Sequence, residues 1–554
     1  MALPFRQQIE LMHDLVGAPR LTICVGSGIS YRRLPLLHAL LALAFRNIPL
    51  NAEARDAFLA YSRQYGFCAL LAAEGIVTVN PCSLDEFRSQ TNEHQARLCE
   101  TLTSNYGEVF AALQAVSGSK RLLLDHLEFQ QFDISNSDAA HFYIGFLILE
   151  GVVERLLTTN WDHLVESALE SSINQPINTV LDIIRDEPSW LNRNGGAPAA
   201  IAKVHGCSTQ YPGRCEEIIL TAAELQLATH NGWHQNAVNE FLTGTVLFSG
   251  YSASDYTVMV PLRVLAALRA NHALDVSHFF IAQDSDLNPA GRDLTNNDPS
   301  RHIRLWANDT FASLYFAYLR QRLQNAITTA EQQRRPERAF PVWDEPSWQA
   351  LITRLRTLTT EDLGAFLDAF IGPPASRSYD ERAASLPIEI SAIRAIFLTG
   401  RLEARGKYQN LHFDANKDIV LLILVAALVD LCRPANAHIS LETSYAGITI
   451  SEDNGSRRKF LFLYGIYPNA AYPALSTYLI DVEDTDGQFP EFEVAVIPCS
   501  RYDIPDDAYP VTPILAKPLP GGKRARRRFV DPKTVFETQG YDDLIVKLRT
   551  TLEL

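Results

Sequence analysis

Four short segments of this chain carry residue types and spacings suited to gripping a phosphate or moving a proton. Gly26-Ser27-Gly28-Ile29-Ser30 follows the apolar run Leu21–Val25. Glycines at such a strand-to-helix turn let backbone N–H groups approach a phosphate, and a helix N-terminus adds partial positive charge. A plain tight turn has the same composition, and the full GxGxxG fingerprint is absent because position 31 is Tyr. Thr158-Thr159-Asn160-Trp161-Asp162 closes a second apolar run. Asn160 offers a donor and an acceptor to a hydroxyl or a water, and Asn160 or Asp162 would serve equally as a helix cap. Lys203-Val204-His205-Gly206 ends a third run. A histidine there is either a structural side chain or, facing a ligand, a general base near neutral pH. Ser249-Gly250-Tyr251-Ser252 ends a fourth, and its plainer reading is a turn.

The elements that must hold these segments alternate strand-like runs with amphipathic stretches of helical length. Leu21–Val25 is short, β-branched and bounded by glycine, as a buried parallel strand should be. Further strands are expected at 155–159, 201–204, 218–221, 245–249, 278–282 and 303–306, with helices such as 162–171 and 311–323 between them. Alternation of this kind predicts right-handed crossovers and an α/β fold, a Rossmann-like doubly wound parallel sheet. All four segments then fall at carboxyl ends of strands, where open α/β sheets bind ligands. Residues 35–150, rich in Leu, Ala and Glu, are expected to form a mainly helical insertion within a first domain spanning 1–328. A polar, proline-containing stretch at 329–345 is expected to be a linker. Residues 346–554 should form an α+β C-terminal region, with helices at 347–370 and 389–402, an apolar run at 419–429, and strands at 438–451, 459–464, 476–481 and 492–498.

Composition bounds what such a chain can be. Its 554 residues exceed what one hydrophobic core usually serves. With 47% hydrophobic and 20% charged residues it is an ordinary globular chain, neither disordered nor collagen-like. A net charge of −15 argues against a surface that grips nucleic acid throughout, since phosphate binding rests on Lys and Arg. The basic run Lys523-Arg524-Ala525-Arg526-Arg527-Arg528 stands out in this acidic background as either a solvated loop or a contact for nucleic acid or a nucleotide. The eight cysteines include no CxxC pair, so no disulfide framework or structural zinc site is indicated. The first residues lack a basic segment followed by an apolar run, and the run at 419–429 is shorter than the roughly 18 residues of a membrane span. A cytoplasmic protein without membrane contact is the expectation.

Taken together, GSGIS, TTNWD, HG and GYS, in that order, resemble the motif set of the sirtuin superfamily, in particular the divergent bacterial sirtuin-like NADases of antiphage defence. Ser137-Asp138-Ala139-Ala140-His141 resembles the helix start that precedes the Asn-x-Asp strand in that family. The resemblance covers about residues 10–325. It implies that Gly26, Ser27, Gly28, Ser30, Thr159, Gly250 and Ser252 contact NAD, with Ser252 on a ribose hydroxyl. It further implies Asn160, Asp162 and His205 as the catalytic set. Asp284, just after a late strand, is a further candidate, for the adenosine half. Three departures separate the chain from protein deacylases of the family. Only Cys207 and Cys215 follow the His-Gly pair, so the four-cysteine zinc module is missing and no metal is expected; Thr159 stands where deacylases carry Gln; and Tyr31-Arg32-Arg33 replaces an Asp-Phe-Arg segment.

The implied function is NAD glycohydrolysis, cleaving NAD to nicotinamide and ADP-ribose, in an effector that depletes NAD during abortive infection. The alternatives are a non-catalytic module that senses NAD or ADP-ribose, and an NAD-dependent protein deacylase or ADP-ribosyltransferase. Unrestrained NAD destruction would kill the host, so the region beyond 346 is expected to serve sensing, assembly or docking of a co-encoded defence partner, in a homo- or hetero-oligomer.

Overall fold

The computed structural model describes residues 12–18, 21–65, 83–134, 137–170, 176–193, 197–251, 258, 277–307 and most of 309–325, then 344–357, 427, 430, 438–441, 447–451, 457–462, 494–497, 526–529 and 538–552. The chain divides into two compact units, one of residues 17–312 and one of residues 1–16 with 313–554.

The first unit is built on a parallel sheet of seven strands in the order β3-β4-β2-β1-β5-β6-β7. These are β1 (Leu21–Val25), β2 (Val153–Thr158), β3 (Leu181–Ile184), β4 (Ala199–Lys203), β5 (Gly244–Ser249), β6 (Ser277–Ala282) and β7 (His302–Ile303). Every residue of β1 is buried, as a central strand covered on both faces requires. The chain order reverses at β1: one side of the sheet runs out through β2, β4 and β3, the other through β5, β6 and β7. Such a switch point opens a crevice at the carboxyl ends of the strands. Register makes that crevice specific to four strands, since Val25 lies opposite both Thr158 and Ser249, and Thr158 lies opposite Lys203. The Rossmann-like α/β fold expected from the sequence is therefore present.

Two strand expectations differ in detail, and one strand is additional. Residues 218–221 form no strand; Ile218 and Leu220 are buried in a helical core instead, and Thr221 caps the helix Ala222–His230. β3 was not foreseen, because only its first and last residues are buried and it carries no continuous apolar run. β7 is two residues long rather than four, and Trp306 beyond it is 60% exposed.

Between β1 and β2 the described residues form helices and turns only, among them Leu37–Asn47, Ala52–Tyr65, Tyr106–Ser117, Lys120–His126 and Gln131–Ile134. Their core is rich in leucine and phenylalanine: Phe45 meets Phe58 edge-on at 5.0 Å and Phe87 at 5.8 Å. Such pairs contribute about 0.5–1.5 kcal/mol each beyond their buried area. The last helix of this stretch, Ala139–Leu149, is apolar on all sides and buried at every residue.

In the second unit, five strands form a mixed sheet ordered β12-β11-β10-β9-β8. These are β8 (His438–Leu441), β9 (Gly447–Ser451), β10 (Arg457–Phe462), β11 (Val494–Ile497) and β12 (Arg526–Phe529). β8, β9 and β10 pair antiparallel, whereas β10, β11 and β12 pair parallel. The expected strand 438–451 is thus a hairpin-like pair. Arg526 to Arg528 of the basic run lie in β12; residues 523–525 fall outside the described residues, as do the expected helix 389–402 and strand 476–481 and nearly all of the run 419–429. The helices Glu345–Thr357 and Tyr541–Leu552 belong to the same unit, and Tyr541 donates to the Asp430 carboxylate at 2.6 Å. Among the described residues, no helix is long and apolar enough to cross a membrane.

Candidate active site

The glycines of the first and fourth segments are glycines because the two turns touch. A methyl group on Gly26 would lie 2.7 Å from the Gly250 carbonyl oxygen, and one on Gly28 would lie 2.6 Å from the Gly250 Cα. One on Gly250, whose φ is +63°, would lie 2.7 Å from the Ile29 nitrogen. The β1 and β5 turns thus interlock through bare backbone. The contact uses amides that the sequence reading offered to a phosphate: Gly28 N–H donates to Gly250 O at 3.0 Å and Gly26 N–H to Ser249 O at 3.4 Å. In this conformation the Gly26 and Gly28 amides are therefore engaged by the β5 turn rather than turned toward a ligand.

The turn after β2 carries the polar centre. Thr158 Oγ1 accepts the Asn160 N–H at 3.0 Å, which fixes the backbone of the turn. The Asn160 side-chain nitrogen donates to Gly26 O at 3.2 Å and approaches Ser30 Oγ at 3.5 Å. A carbonyl oxygen accepts only, so this contact fixes the amide's orientation and leaves Oδ1 as the atom to meet a ligand. Ser30 donates to Asp162 Oδ2 at 3.0 Å, and Asp162 Oδ1 accepts Leu164 N–H at 3.2 Å. Asp162 is therefore both a cap on the helix Leu164–Glu170 and a partner of the β1 turn. Ser30 Oγ also meets His141 Nε2 at 3.0 Å.

Beneath this turn lies a buried ion pair. Lys203 Nζ is 3.1 Å from Glu166 Oε1, with side chains only 1% and 6% exposed, and it also donates to the Asp162 carbonyl oxygen. Burial alone would push the Lys203 pKa down, but the Glu166 carboxylate, helped by Cys207 and Asp162, outweighs it and raises the value. The cation stays charged and ties β4 to the Asn160 turn.

His205 follows directly, and a brace of polar residues holds its turn. Gly206 takes φ +82°, where a methyl group would lie 2.6 Å from Glu217 O. Ile219 N–H donates to His205 O at 3.0 Å, Ser208 N–H to Trp161 O at 2.6 Å, and Cys207 N–H to Gln210 Oε1 at 2.7 Å. Gln210 in turn donates to Glu217, and Arg214 reaches Asp186 at 2.9 Å. The Asp186 pKa is lowered: burial opposes this, but donors on Ser189 and Arg214 outweigh it.

These turns enclose one open cavity of about 140 Å³. That is about ten times the space a single water needs, so the crevice is not filled in by side chains. Ser27, Ser30, Thr159, Asn160, Asp162 and His205 form its polar wall. Leu34, Leu37, Leu40, Tyr106 and Phe132 form its apolar wall, with Trp161 and Tyr251 also lining the space. Buried Trp161 packs on Phe129 and Phe132 at 5.8 and 6.0 Å.

The structure therefore brings Gly26, Ser27, Ser30, Thr159, Asn160, Asp162, His205 and Gly250 to one cavity. Gly28 serves the turn contact and does not line the space. Asp284 is exposed and does not line it either, and Ser252 lies outside the described residues. Tyr31, Arg32 and Arg33 are exposed. The sequence reading did not foresee the apolar wall, the Lys203–Glu166 pair or the part played by His141. A buried Lys and Glu give no sequence signal, whereas the Asp138–His141 helix start was visible without its partner.

Compared with curated proteins, the chain finds no match. Residues 154–308 match the family model of the SIR2-like domain. The matched span carries Asn160, Asp162, His205 and Gly250, and the hydrogen bonds of Ser30 and Asn160 join the β1 turn to it. A SIR2-like domain points to chemistry on NAD. The chain carries a sirtuin-like domain whose matched part runs from β2 to just beyond β7.

Proposed function

We propose that this protein is an NAD glycohydrolase that cleaves NAD to nicotinamide and ADP-ribose and depletes NAD as the effector of a bacterial antiphage system. The observation that carries this reading is the mixed lining of the cavity: apolar side chains suited to an aromatic ring share the space with polar side chains suited to a ribose. Breaking the nicotinamide–ribose bond leaves oxocarbenium-like positive charge on the sugar, which neutral oxygen acceptors stabilise. Asn160 Oδ1 is that acceptor in our scheme. His205 takes the proton of the attacking water, whose oxygen bonds to the ribose carbon as nicotinamide departs with the bonding electrons. Asp162 holds Ser30, and so the β1 turn, in register.

Hydrolysis is favoured over deacylation because hydrogen-bonded Gln210, Arg214 and Glu217 occupy the segment after His205 in which deacylases of the family carry zinc ligands. Cys207 and Cys215 in this segment form no disulfide, and the Cys215 thiol donates to Pro212 O at 3.2 Å. The second unit is then the region that docks a co-encoded partner and restrains turnover, with the basic run at 523–528 as its contact for nucleic acid or a nucleotide. Incubating the full chain with NAD, with and without an acetyl-lysine peptide, tests the reaction class. Equal nicotinamide release in both, with free ADP-ribose as co-product, is expected; release that requires the peptide would assign a deacylase.

A further inference from the structure

Two backbone groups of fixed polarity determine the direction of the hydrogen bonds beneath the cavity. Asp138 N–H, which can only donate, points at His141 Nδ1 at 2.9 Å. Nδ1 is therefore the bare nitrogen, and the ring proton sits on Nε2. Nε2–H then donates to Ser30 Oγ at 3.0 Å, so the single Ser30 proton is sent to Asp162 Oδ2 at 3.0 Å. From the other side, Gly26 O, which can only accept, turns the Asn160 amide nitrogen inward, toward Ser30 as well. Ser30 Oγ is thus surrounded by three protein partners, two of them in the catalytic set of the proposed function.

His141 is wholly buried, at the third position of the helix Ala139–Leu149, and Asp138 caps that helix. A capping box usually places Glu or Gln at this position. Imidazole does what those residues do through Nδ1, and its second nitrogen reaches onward to another element. Burial lowers its pKa, in keeping with a neutral ring, although Asp162, Asp138 and Glu166 pull the other way.

We propose that His141 is a positioning residue for the active site: its Nε2–H aims the Ser30 hydroxyl at Asp162 and thereby holds Asn160 with its oxygen toward the cavity. This role deepens the NAD glycohydrolase reading and rests on it for its kinetic consequence, whereas the state of the ring is independent of turnover.

The test uses the full chain in two arms. In the first, histidine is labelled with 15N at pH 7, and His141 is assigned by the signals lost in His141→Gln. A protonated Nε2 and a bare Nδ1 are expected; an Nδ1-protonated ring or an imidazolium overturns the proposal, whether or not NAD is cleaved. In the second, with NAD as substrate, His141→Leu should lower kcat about 10- to 100-fold with KM changed less than about threefold, as for other outer partners of functional groups. His141→Gln should recover most of that loss, because its amide nitrogen can replace Nε2. Adding His141→Leu to Ser30→Ala should cost nothing further. An unchanged kcat in His141→Leu, or a full additional loss in the Ser30→Ala background, overturns the proposal. The expected ring state in a chain that cleaves no NAD supports the positioning role and contradicts the glycohydrolase alone.

Discussion

The polar wall of the cavity comes from turns at the ends of β1, β2 and β4, whereas most of the apolar wall comes from the helices between β1 and β2. The polar wall is held by bare backbone, through the Gly26, Gly28 and Gly250 contacts, and by buried polar bonds with fixed direction. The apolar wall is held by side-chain packing, which tolerates volume-conserving exchange. The polar side should therefore govern turnover, and the apolar side should govern affinity and stability.

The largest effect should come from beneath the polar wall. Lys203→Met leaves the Glu166 carboxylate buried without its cation, and a loss of about 3–5 kcal/mol in unfolding free energy is expected. Urea unfolding measures it, and Glu166→Gln added to Lys203→Met should return part of the loss. Next comes Asn160→Ala, which removes the acceptor aimed at the cavity. Nicotinamide release should fall about 10²–10³-fold, the range seen when one preorganised polar group is lost, with a far smaller change in melting temperature.

A matched pair sharpens the contrast between the walls. Gly250→Ala forces a side chain onto φ +63° and into the Ile29 nitrogen, costing about 1–3 kcal/mol of strain and shifting the β1 turn. Leu40→Met on the apolar wall keeps its volume and should cost less than about 1.5 kcal/mol. Thermal unfolding and NAD turnover of the two variants would show whether backbone contact or packing dominates. The smallest effect concerns pH. His141 has a lowered pKa when folded, so the unfolded chain binds a proton that the folded chain resists. Its contribution is fully present above the unfolded value of about 6.5 and is lost as pH falls below it, at up to about 1.4 kcal/mol per pH unit. Unfolding free energies measured between pH 7 and 5 in wild type and His141→Gln should differ in slope by that amount at most.

The same contrast explains what the sequence made legible. Polar-wall residues lie next to strand ends in the chain, so Gly26–Ser30, Asn160, Asp162, His205 and Gly250 could be found from apolar runs followed by small polar residues. The doubly wound sheet was legible for the same reason, since β1 and β5 are apolar runs bounded by glycine. Leu34, Tyr106 and Phe132 could not be found that way: they look like any core residue until helix packing brings them together. Gly28 was legible as a glycine but not for its reason, because nothing in a GSG triplet distinguishes a neighbouring backbone from a phosphate. His141 was visible at its helix start, but Ser30 is distant in sequence and only the fold unites them.

The central claim is that four strand-end turns make one NAD-cleaving site, and chromatography of NAD with the full chain and its His205→Ala variant tests it most directly. Equimolar nicotinamide and ADP-ribose from the wild-type chain, and none from a His205→Ala variant of unchanged melting temperature, are predicted. Equal rates from both chains, or NAD left intact by both, would contradict the account.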